Sequence, residues 1–274
     1  MTKLQNKLLD MVKWFHNFCQ ENNLRYYALG GTMLGAARHQ GFIPWDDDID
    51  VGMPRKDYEK LIMLCKVRKN EQYILESINS ENKDYIYGYA KIYDTSTTLI
   101  ERARVNVRRG IYIDIFPLDG VGNNENKIKS IFNPIYYRYQ FIVARTCALN
   151  KERKLYKNIL MILARMIPEV FISNKKIIID IDKLCKKNDY DSCEIIGNLL
   201  GNWGIKEIMP KDYMGEPTLY KFEDTYIYGA EKYDLYLKKL YGDWHKLPPK
   251  EKRITHHDAV ECDLEKSFLN KNGI

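Results

Sequence analysis

The sequence predicts an α/β fold in which helices pack on a mixed sheet, together with a helical lobe rich in basic residues. The first observation is that segments with apolar residues at helical spacing are interspersed with short β-like runs along the first 120 or so residues. The second is a change of character at residues 125–187, where helical periodicity dominates and 14 Lys and Arg residues stand against 5 Asp and Glu residues. That excess is larger than the net charge of +6 of the whole chain, so the basic character is confined to this segment.

A chain of 274 residues is long for one compact domain, and we expect three parts. They are a core at residues 1–122, the helical basic lobe at 123–190, and a C-terminal segment at 191–274 that completes the pocket of the core. Hydrophobic residues make up 45% and charged residues 29%, which is typical of a folded globular protein and not of a disordered one.

Periodicity and punctuation place the individual elements. Helices are predicted over residues 3–22, from the Gly30-Gly31 pair to about Arg38, over 54–66, and over about 231–241, where Gly242 ends the last one. Strands are predicted at 25–29 and 47–53, in three runs within 72–101, and at 110–119. A glycine-broken stretch follows residue 191 and indicates strands and turns near the pocket.

The residues from Tyr27 to Gly52 hold the strongest chemical signal. Glycine pairs let a backbone turn tightly and approach a ligand, and a helix that starts behind them favours a phosphate at its N-terminus. In a strand, Asp46, Asp48 and Asp50 would share one face while Asp47 would face the other way. Clustered carboxylates are hard oxygen ligands for a divalent cation, so the combination predicts a phosphate cradle beside a metal site. A simple turn and a solvated acidic loop are the alternative interpretations of each part taken alone.

Two further charges stand inside apolar strands. Asp114 lies in the run GIYIDIFPLD, where an ionised side chain is costly unless it is paired or bound to metal. It is therefore a candidate third metal ligand, although a pair with Arg108 or Arg109 would also explain it. Lys91 lies in the middle predicted strand of residues 72–101 and would reach a substrate phosphate, or would be an ordinary surface lysine.

The stretch GGTMLGAARHQGFIPWDDDIDVGMPRKDYEKL closely resembles the signature of the LicD family of cholinephosphotransferases, which includes the fukutin-related proteins. That family belongs to the nucleotidyltransferase superfamily, whose core pattern is Gly-Gly or Gly-Ser followed by an apolar-flanked Asp-x-Asp. Gly30-Gly31 and Asp48-Ile49-Asp50 match it, and IDIFPLD at 113–119 matches a second motif of the family. The resemblance returns more loosely in the last 60 residues and does not cover the middle of the chain.

The resemblance implies a nucleotidyltransferase-type fold and a Mg²⁺-dependent (or Mn²⁺-dependent) transferase. The donor would be CDP-choline or a CDP-polyol. Phosphocholine or a polyol phosphate would pass to a sugar of a cell-surface glycan, such as lipopolysaccharide, teichoic acid or a capsule precursor, or to a lipid-linked oligosaccharide. Asp48, Asp50 and Asp114 would hold the metal. Asp46 would accept the proton of the acceptor hydroxyl, or would fix the other carboxylates.

The remaining candidates bind phosphate. Gly30, Gly31 and Thr32 would contact phosphate oxygens, with Arg38, Lys91 and His256 as further phosphate- or substrate-binding residues. A surface histidine is the commoner explanation of His256 and of its neighbour His257.

Partners and location follow from composition. The basic face of residues 125–187 would lie against anionic lipid headgroups, or would be the solvated side of a lobe packed on the core. Nucleic acid is not expected, because no nucleic-acid motif accompanies the charge. Six cysteines without a C-x-x-C pair or zinc-type spacing indicate reduced thiols. No signal peptide or membrane span is visible, which favours a cytoplasmic protein, with peripheral contact at the inner face of the membrane if the lobe binds lipid.

Three other functions fit parts of the pattern. A glycosyltransferase with an Asp-x-Asp motif would place that motif after a nucleotide-binding half-domain, and here it follows Gly30 too closely. A true nucleotidyltransferase would use the same glycines and acids but leave the nucleoside monophosphate on the acceptor. A calcium- or glycan-binding module would need an EF-hand spacing that WDDDIDVGMPRKDY does not supply.

Overall fold

The computed structural model describes residues 1–80, 82, 85–149, 153–255 and 259–269. Its centre is strand β7, Tyr112–Gly122, an eleven-residue run whose apolar residues are almost all buried. Strand β2, Asp50–Pro54, pairs with β7 in parallel, and strand β4, Ala90–Asp94, pairs with it in antiparallel fashion on the other side. The sheet is therefore mixed, and the predicted α/β class is confirmed.

The register across these three strands positions the site. Asp50 lies opposite Asp114, and Asp114 lies opposite Lys91. Residues directly opposite one another in paired strands project to the same face. The two acids and the lysine therefore form one row across the centre of the sheet.

Four shorter strands complete this sheet, which runs in the order β1-β2-β7-β4-β3, with β8 on the far half of β7 and β9 beside β8. They are β1 Tyr27–Ala28, β3 Tyr73–Glu76, β8 Ile195–Gly197 and β9 Ile208–Pro210. A second sheet has the order β12-β5-β6, and β10 and β11 form a hairpin. These strands are β5 Thr98–Glu101, β6 Val107–Arg109, β10 Thr218–Phe222, β11 Thr225–Gly229 and β12 Ala259–Asp263.

Outside the lobe, four helices lie close to the predicted bounds, and one short helix was not predicted. In chain order they are α1 Lys3–Glu21, α2 Gly30–His39, α3 Arg55–Val67, the short α7 Lys211–Met214 and α8 Tyr233–Tyr241. Helix α1 starts at a capping box formed by Thr2 and Gln5, and α8 stops where Gly242 takes a φ of 73°. Their apolar stripes pack into one hydrophobic core with the sheet.

The predicted helical lobe consists of α4 Ile128–Thr146, α5 Leu155–Met166 and α6 Asn174–Cys185. A buried ion-pair cluster joins α6 to the sheet. Arg55, at the start of α3, donates two hydrogen bonds to Asp119 of β7 (2.7 and 2.6 Å) and a third to Asp182 of α6 (3.0 Å). Because Asp119 is 1% exposed, this pair is part of the structural core.

Two predicted strands were too long. The acidic strand was expected to span 47–53, but pairing starts only at Asp50, and residues 44–49 form a turn and an extended segment. The first strand was expected at 25–29 and covers Tyr27–Ala28. β1 pairs with β2 at only two register positions, which limits the first strand to two residues. The acidic strand begins at Asp50 because its pairing with β7 begins there, opposite Asp114, although β7 itself starts at Tyr112. Among the described residues, no helix is both long and apolar enough to cross a bilayer.

Candidate active site

A cavity of about 240 Å³ lies over the row formed by Asp50, Asp114 and Lys91. Alternate residues of the sheet form its floor, and the loop between β8 and β9 and one side chain of α4 form its walls. The lining residues are Leu29, Gly30, Gly31, Asp48, Asp50, Tyr87, Tyr89, Lys91, Glu101, Tyr112, Asp114, Phe116, Tyr139, Asn198, Leu200, Gly201, Asn202, Trp203 and Glu207. The stretch WDDDID and the strand GIYIDIF, far apart in sequence, therefore meet in one cavity, as their motifs predicted.

Lys91 is an interior residue. It is 2% exposed, and its Nζ lies 2.6 Å from Oδ1 of Asp114 and 3.4 Å from the ring centre of Tyr112. The surface interpretation of Lys91 is thus wrong, and so is the expectation that Asp114 pairs with Arg108 or Arg109. The lysine neutralises the acid because the register of β4 against β7 places them side by side.

Burial perturbs the acids of this cavity. The pKa of Asp114 is raised to about 6, mainly by burial, while Lys91 acts to lower it and Asp48 to raise it. The pKa of Asp50 is raised well above its usual range by burial, then by the neighbouring charges of Asp48 and Asp114. Carboxylates held this close in a buried site resist ionising together, so the cavity favours a positively charged occupant.

The glycine turn supports the opposite wall. Gly30 has a φ of +48°, a conformation that favours glycine, and its N–H donates to the hydroxyl of Tyr236 on α8 (2.8 Å). A Cβ at Gly31 would lie 2.6 Å from Oδ2 of Asp46, so a side chain there would displace the Asp46 carboxylate from its present position. The helix α2 that starts here directs its N-terminal end at the cavity that both glycines line.

Several predicted residues lie behind the cavity instead of in it. The hydroxyl of Thr32 accepts a hydrogen bond from the Asp50 N–H (2.9 Å), so it positions that residue. Arg38 donates to the carbonyls of Trp244 (2.8 Å) and Lys246 (3.4 Å) and thereby anchors the C-terminal segment to α2. Of the described residues, neither of these nor Asp46 is among those that line the cavity, and their roles toward phosphate or proton stay predictions. His256 lies outside the described residues.

The alternation of the acids is partly seen. Asp48 and Asp50 both line the cavity, whereas Asp47 is absent from its described lining and lies beside a different, mostly apolar pocket. There its carboxylate accepts a hydrogen bond from the hydroxyl of Thr255.

The carboxylates of the cavity are the candidate ligands for a metal ion. In the part of the chain that the structure describes, no three His, Cys, Asp or Glu side chains converge closely enough to hold an ion as they stand. Asp48, Asp50 and Asp114 nevertheless supply the hard oxygen ligands that Mg²⁺ prefers, and their mutual repulsion is what a cation would relieve. The residues therefore fit a magnesium ion in chemistry, with Lys91 as the cation that now faces Asp114.

Sequence reasoning missed the walls of the cavity. Glu207 is buried and accepts a hydrogen bond from the Trp203 N–H (2.9 Å); burial raises its pKa to about 7 against the effect of that bond and of Asn198. The glycine-broken pattern around these residues indicated a pocket segment but did not single out an acid. Only the pairing of β8 with β7 and β9 brings Asn198 and Glu207 to the site.

Comparisons with known proteins identify the family of the chain. Residues 23–148 match the family profile described as LicD/FKTN/FKRP, nucleotidyltransferase domain. The chain is 31% identical over 257 residues to the lipopolysaccharide cholinephosphotransferase LicD of Haemophilus influenzae, covering 91% of this chain and 92% of that protein. It is also 53% identical to the human ribitol 5-phosphate transferase FKRP over 50 residues, which are 18% of this chain and 10% of that protein.

A weaker match links the chain to the mannosyltransferase regulator 4 of Saccharomyces cerevisiae, 28% identical over 116 residues, or 40% of this chain and 10% of that protein. The full-length match to the bacterial protein decides the assignment, because it spans the sheet, the lobe and the C-terminal segment alike. The chain belongs to the LicD family and is an enzyme.

Proposed function

We propose that the chain transfers phosphocholine, or a related polyol phosphate, from a CDP-activated donor to a sugar hydroxyl of a cell-surface glycan, with Mg²⁺ as the metal. The observation that carries the proposal is the row of Asp50 and Asp114 under a cavity that Gly30, Gly31 and Asp48 also line. This cavity combines an acidic floor for a cation with a helix N-terminus for phosphate oxygens. The similarity to a cholinephosphotransferase and a ribitol 5-phosphate transferase supports phosphotransfer to a glycan.

The chain's own groups divide the work. Asp48, Asp50 and Asp114 would hold the metal, which when bound would neutralise charge on the donor diphosphate. Lys91 sits next to Asp114 with an ammonium group that can contact a donor phosphate oxygen in addition to its carboxylate partner. The loop from Asn198 to Trp203 forms a wall beside this floor and would limit the access of water to the reacting phosphorus.

A carboxylate must accept the proton of the attacking hydroxyl. Glu207 is a new candidate, because it lines the cavity and its pKa of about 7 suits a base near neutral pH. Asp46 was the candidate from sequence, and it contacts the turn at Gly31 from outside the lining.

The aromatic wall bears on the transferred group. Tyr87, Tyr139 and Trp203 line the cavity together with Glu101. Aromatic faces beside an acid bind quaternary ammonium groups, which supports choline as the head group. Lys91 Nζ already stands 3.4 Å from the ring centre of Tyr112 and 4.6 Å from that of Tyr87, so a neutral polyol is the alternative that avoids a second cation there.

A mass-spectrometric product assay tests the reaction. The chain is incubated with Mg²⁺, a glycan acceptor fraction, and either CDP-choline or CDP-ribitol. We expect CMP to accumulate in step with an acceptor that has gained phosphocholine or ribitol phosphate, and chelation of the metal to stop both. An acceptor that gained a cytidylyl group, with free phosphocholine released, would identify a true nucleotidyltransferase and refute the proposal.

We also propose that α5 and the turn after it contact an anionic membrane surface from the cytoplasmic side. Only Met161 of α5 is buried, whereas Leu155, Met166, Val170 and Phe171 are 75, 72, 85 and 79% exposed. Exposed lysines flank this apolar surface at 154, 157, 175 and 176. An apolar ridge bordered by lysines matches the interface of an anionic bilayer, where the glycan acceptor of a lipid-linked substrate would be found.

A further inference from the structure

A second, larger cavity of about 880 Å³ opens next to the active-site cavity. It lies between the β5–β6 hairpin, the C-terminal end of α4 and the start of α6. Five cationic side chains line it, namely Arg104, Arg108, Arg109, Arg145 and Lys175. The acids in its lining are Glu101 and Glu169, so cations outnumber acids. We call it the arginine cavity.

Part of this charge is already paired. Arg109 Nε lies 3.1 Å from Oε2 of Glu76, behind the lining. Arg145 is 4% exposed, donates to the carbonyl of Ile172 (3.0 Å), and has a nitrogen 3.2 Å from Oε1 of Glu169. These bonds fix the orientation of both guanidinium groups but leave donors of the cavity unused.

Buried donors without a partner mark the wall. The Nε atoms of Arg108 and Arg145 are shielded from solvent, and neither has a hydrogen-bond partner within the described residues. Leaving a charged donor buried and unbonded costs about 1–3 kcal/mol or more, so such groups usually face a ligand or ordered water. Arginine donors in a concave site suit phosphate and carboxylate groups, since their fork geometry matches two oxygens at once.

Helix α6 adds to the same potential. Its first residues, Ser173 to Lys175, line the arginine cavity, and the twelve-residue helix runs away from it. Two donors of this helix end are already used, since the Asn174 N–H donates to a carboxylate oxygen of Glu169 (3.0 Å) and the Ser173 hydroxyl accepts from the Lys176 N–H (3.4 Å). The helix end therefore adds only part of its positive potential to the cavity. The unbonded guanidinium nitrogens and the excess of cationic side chains in the lining are what favour an anion there.

The arginine cavity adjoins the active site. Tyr87 and Glu101 line both cavities, so a molecule bound across this boundary would place one end among the arginines and the other over Asp114. The donor diphosphate has its own cradle at Gly30 and Gly31, which leaves the arginine cavity for the other substrate.

We propose that the arginine cavity binds a phosphate group carried by the glycan acceptor and so presents a neighbouring sugar hydroxyl to the donor. The inference rests on the proposed function, because it assigns the second substrate of that reaction to a phosphorylated class. Selection then operates through charge: a glycan without phosphate would bind through its hydroxyls alone.

The test measures binding without donor, so it does not depend on which CDP compound is used. Titration calorimetry compares glucose 6-phosphate, glucose and inorganic phosphate with the full chain and with the double variant R104Q/R108Q. A matched control, K238Q/K239Q, removes two charges from exposed positions on α8. We expect the R104Q/R108Q chain to bind glucose 6-phosphate and phosphate at least about tenfold more weakly, because two charge-assisted contacts are lost. Glucose affinity and the K238Q/K239Q chain should be unchanged.

Equal weakening in both variants would show that net charge alone attracts the sugar phosphate, and would overturn the proposal. So would unchanged binding in R104Q/R108Q with a melting curve matched to the unmodified chain. A further arm uses vesicles that contain phosphatidic acid. If the arginine substitutions weakened vesicle binding while glucose 6-phosphate bound to neither chain, the cavity would hold a lipid headgroup and the glycan assignment would be wrong. Failure of the product assay with intact sugar-phosphate binding would instead count against the proposed donor chemistry alone.

Discussion

Charged residues are buried on the face of the sheet and exposed on the helical lobe. On the sheet, Asp50, Asp114 and Lys91 are sequestered in one row, and burial raises the pKa of both acids. On the lobe, lysines are exposed, and so are large apolar side chains such as Val170 and Phe171. Buried charge of this kind is costly for folding and is retained where it serves chemistry, whereas exposed basic and apolar surface suits a partner.

Two acids of β7, Asp114 and Asp119, serve different purposes, one at the cavity and one in the structural core. Asp119 lies on the same strand as Asp114, yet its partner Arg55 comes from α3 and also binds Asp182 of α6, so this buried pair holds the lobe to the sheet. Asp114 and Asp119 are both acids of one apolar strand, and the sequence singled out Asp114 but did not show that Asp119 is buried as well. Their partners decide the difference: a guanidinium satisfies both oxygens of Asp119, while Asp114 has one bonded oxygen and an open cavity above it.

We expect the largest effect on stability from removal of the buried Arg55–Asp119 ion pair. Arg55→Ala would leave the Asp119 carboxylate buried without its cation, so the free energy of unfolding should fall by about 3–5 kcal/mol. Urea unfolding followed by circular dichroism measures it. Lys13→Ala, which breaks an exposed pair with Asp224, is the control and should hardly move the midpoint. A small change for Arg55→Ala would mean that the pair does not hold the lobe.

The next effect concerns Glu207 and depends on pH. Its pKa in the folded chain, about 7, lies above its ordinary value of 4.5, so its contribution to stability is present below pH 4.5 and is lost as pH rises through 7. Glu207→Gln removes this loss. The free energy of unfolding of the variant, relative to that of the unmodified chain, should therefore be higher at pH 8 than at pH 5 by up to about 3 kcal/mol. The measurement is urea unfolding at both pH values.

The control for that experiment is Glu216→Gln, an exposed acid outside the cavity. It should give the same difference from the unmodified chain at pH 5 and pH 8. A Glu207→Gln chain with no pH-dependent gain would show that this acid is ionised in the folded state as easily as in water.

We expect the smallest effect from substitutions in the exposed apolar surface of the lobe. Val170→Ser combined with Phe171→Ser removes apolar area from the proposed membrane contact and should weaken sedimentation with anionic vesicles about tenfold. Salt should release the unmodified chain, and neutral vesicles should not retain it. Val67→Ser, at an exposed position (77%) on α3, is the control. Equal binding to neutral and anionic vesicles, or equal loss in the control, would leave only a solvated lobe.

Local periodicity was enough to predict much of the frame. Helices α1 and α8 lie within two residues of their predicted bounds at each end, because 3.6-residue spacing, capping residues and Gly242 are local signals. The same holds for Asp114, since a charge inside an apolar strand is visible in the sequence. The strand carrying the acids was placed too early because the position at which it begins to pair with β7, Asp50 opposite Asp114, depends on a strand more than 50 residues away and is not visible locally.

The rest of the site depends on long-range pairing. Lys91 had two equal interpretations until the register of β4 set it against Asp114. Glu207 and Asn198 reach the cavity through β8 and β9, more than 70 residues beyond the strand they join. Arg38 was predicted to bind phosphate, and in the structure its guanidinium group donates to the carbonyls of Trp244 and Lys246. Side chains whose partners lie far along the chain cannot be assigned by spacing alone.

The most direct test of the central claim compares Asp50→Asn with Asp47→Asn in the release of CMP from CDP-choline. Asp50 shares the cavity with Asp48 and Asp114, whereas Asp47 is outside its described lining, borders the neighbouring apolar pocket and accepts a hydrogen bond from Thr255. With Mg²⁺, an acceptor fraction that supports the unmodified chain, and matched melting curves, Asp50→Asn should lose on the order of 10²–10³-fold or more in turnover. Asp47→Asn should lose much less. Comparable activity in the two variants would contradict the assignment of this cavity as the site of phosphotransfer.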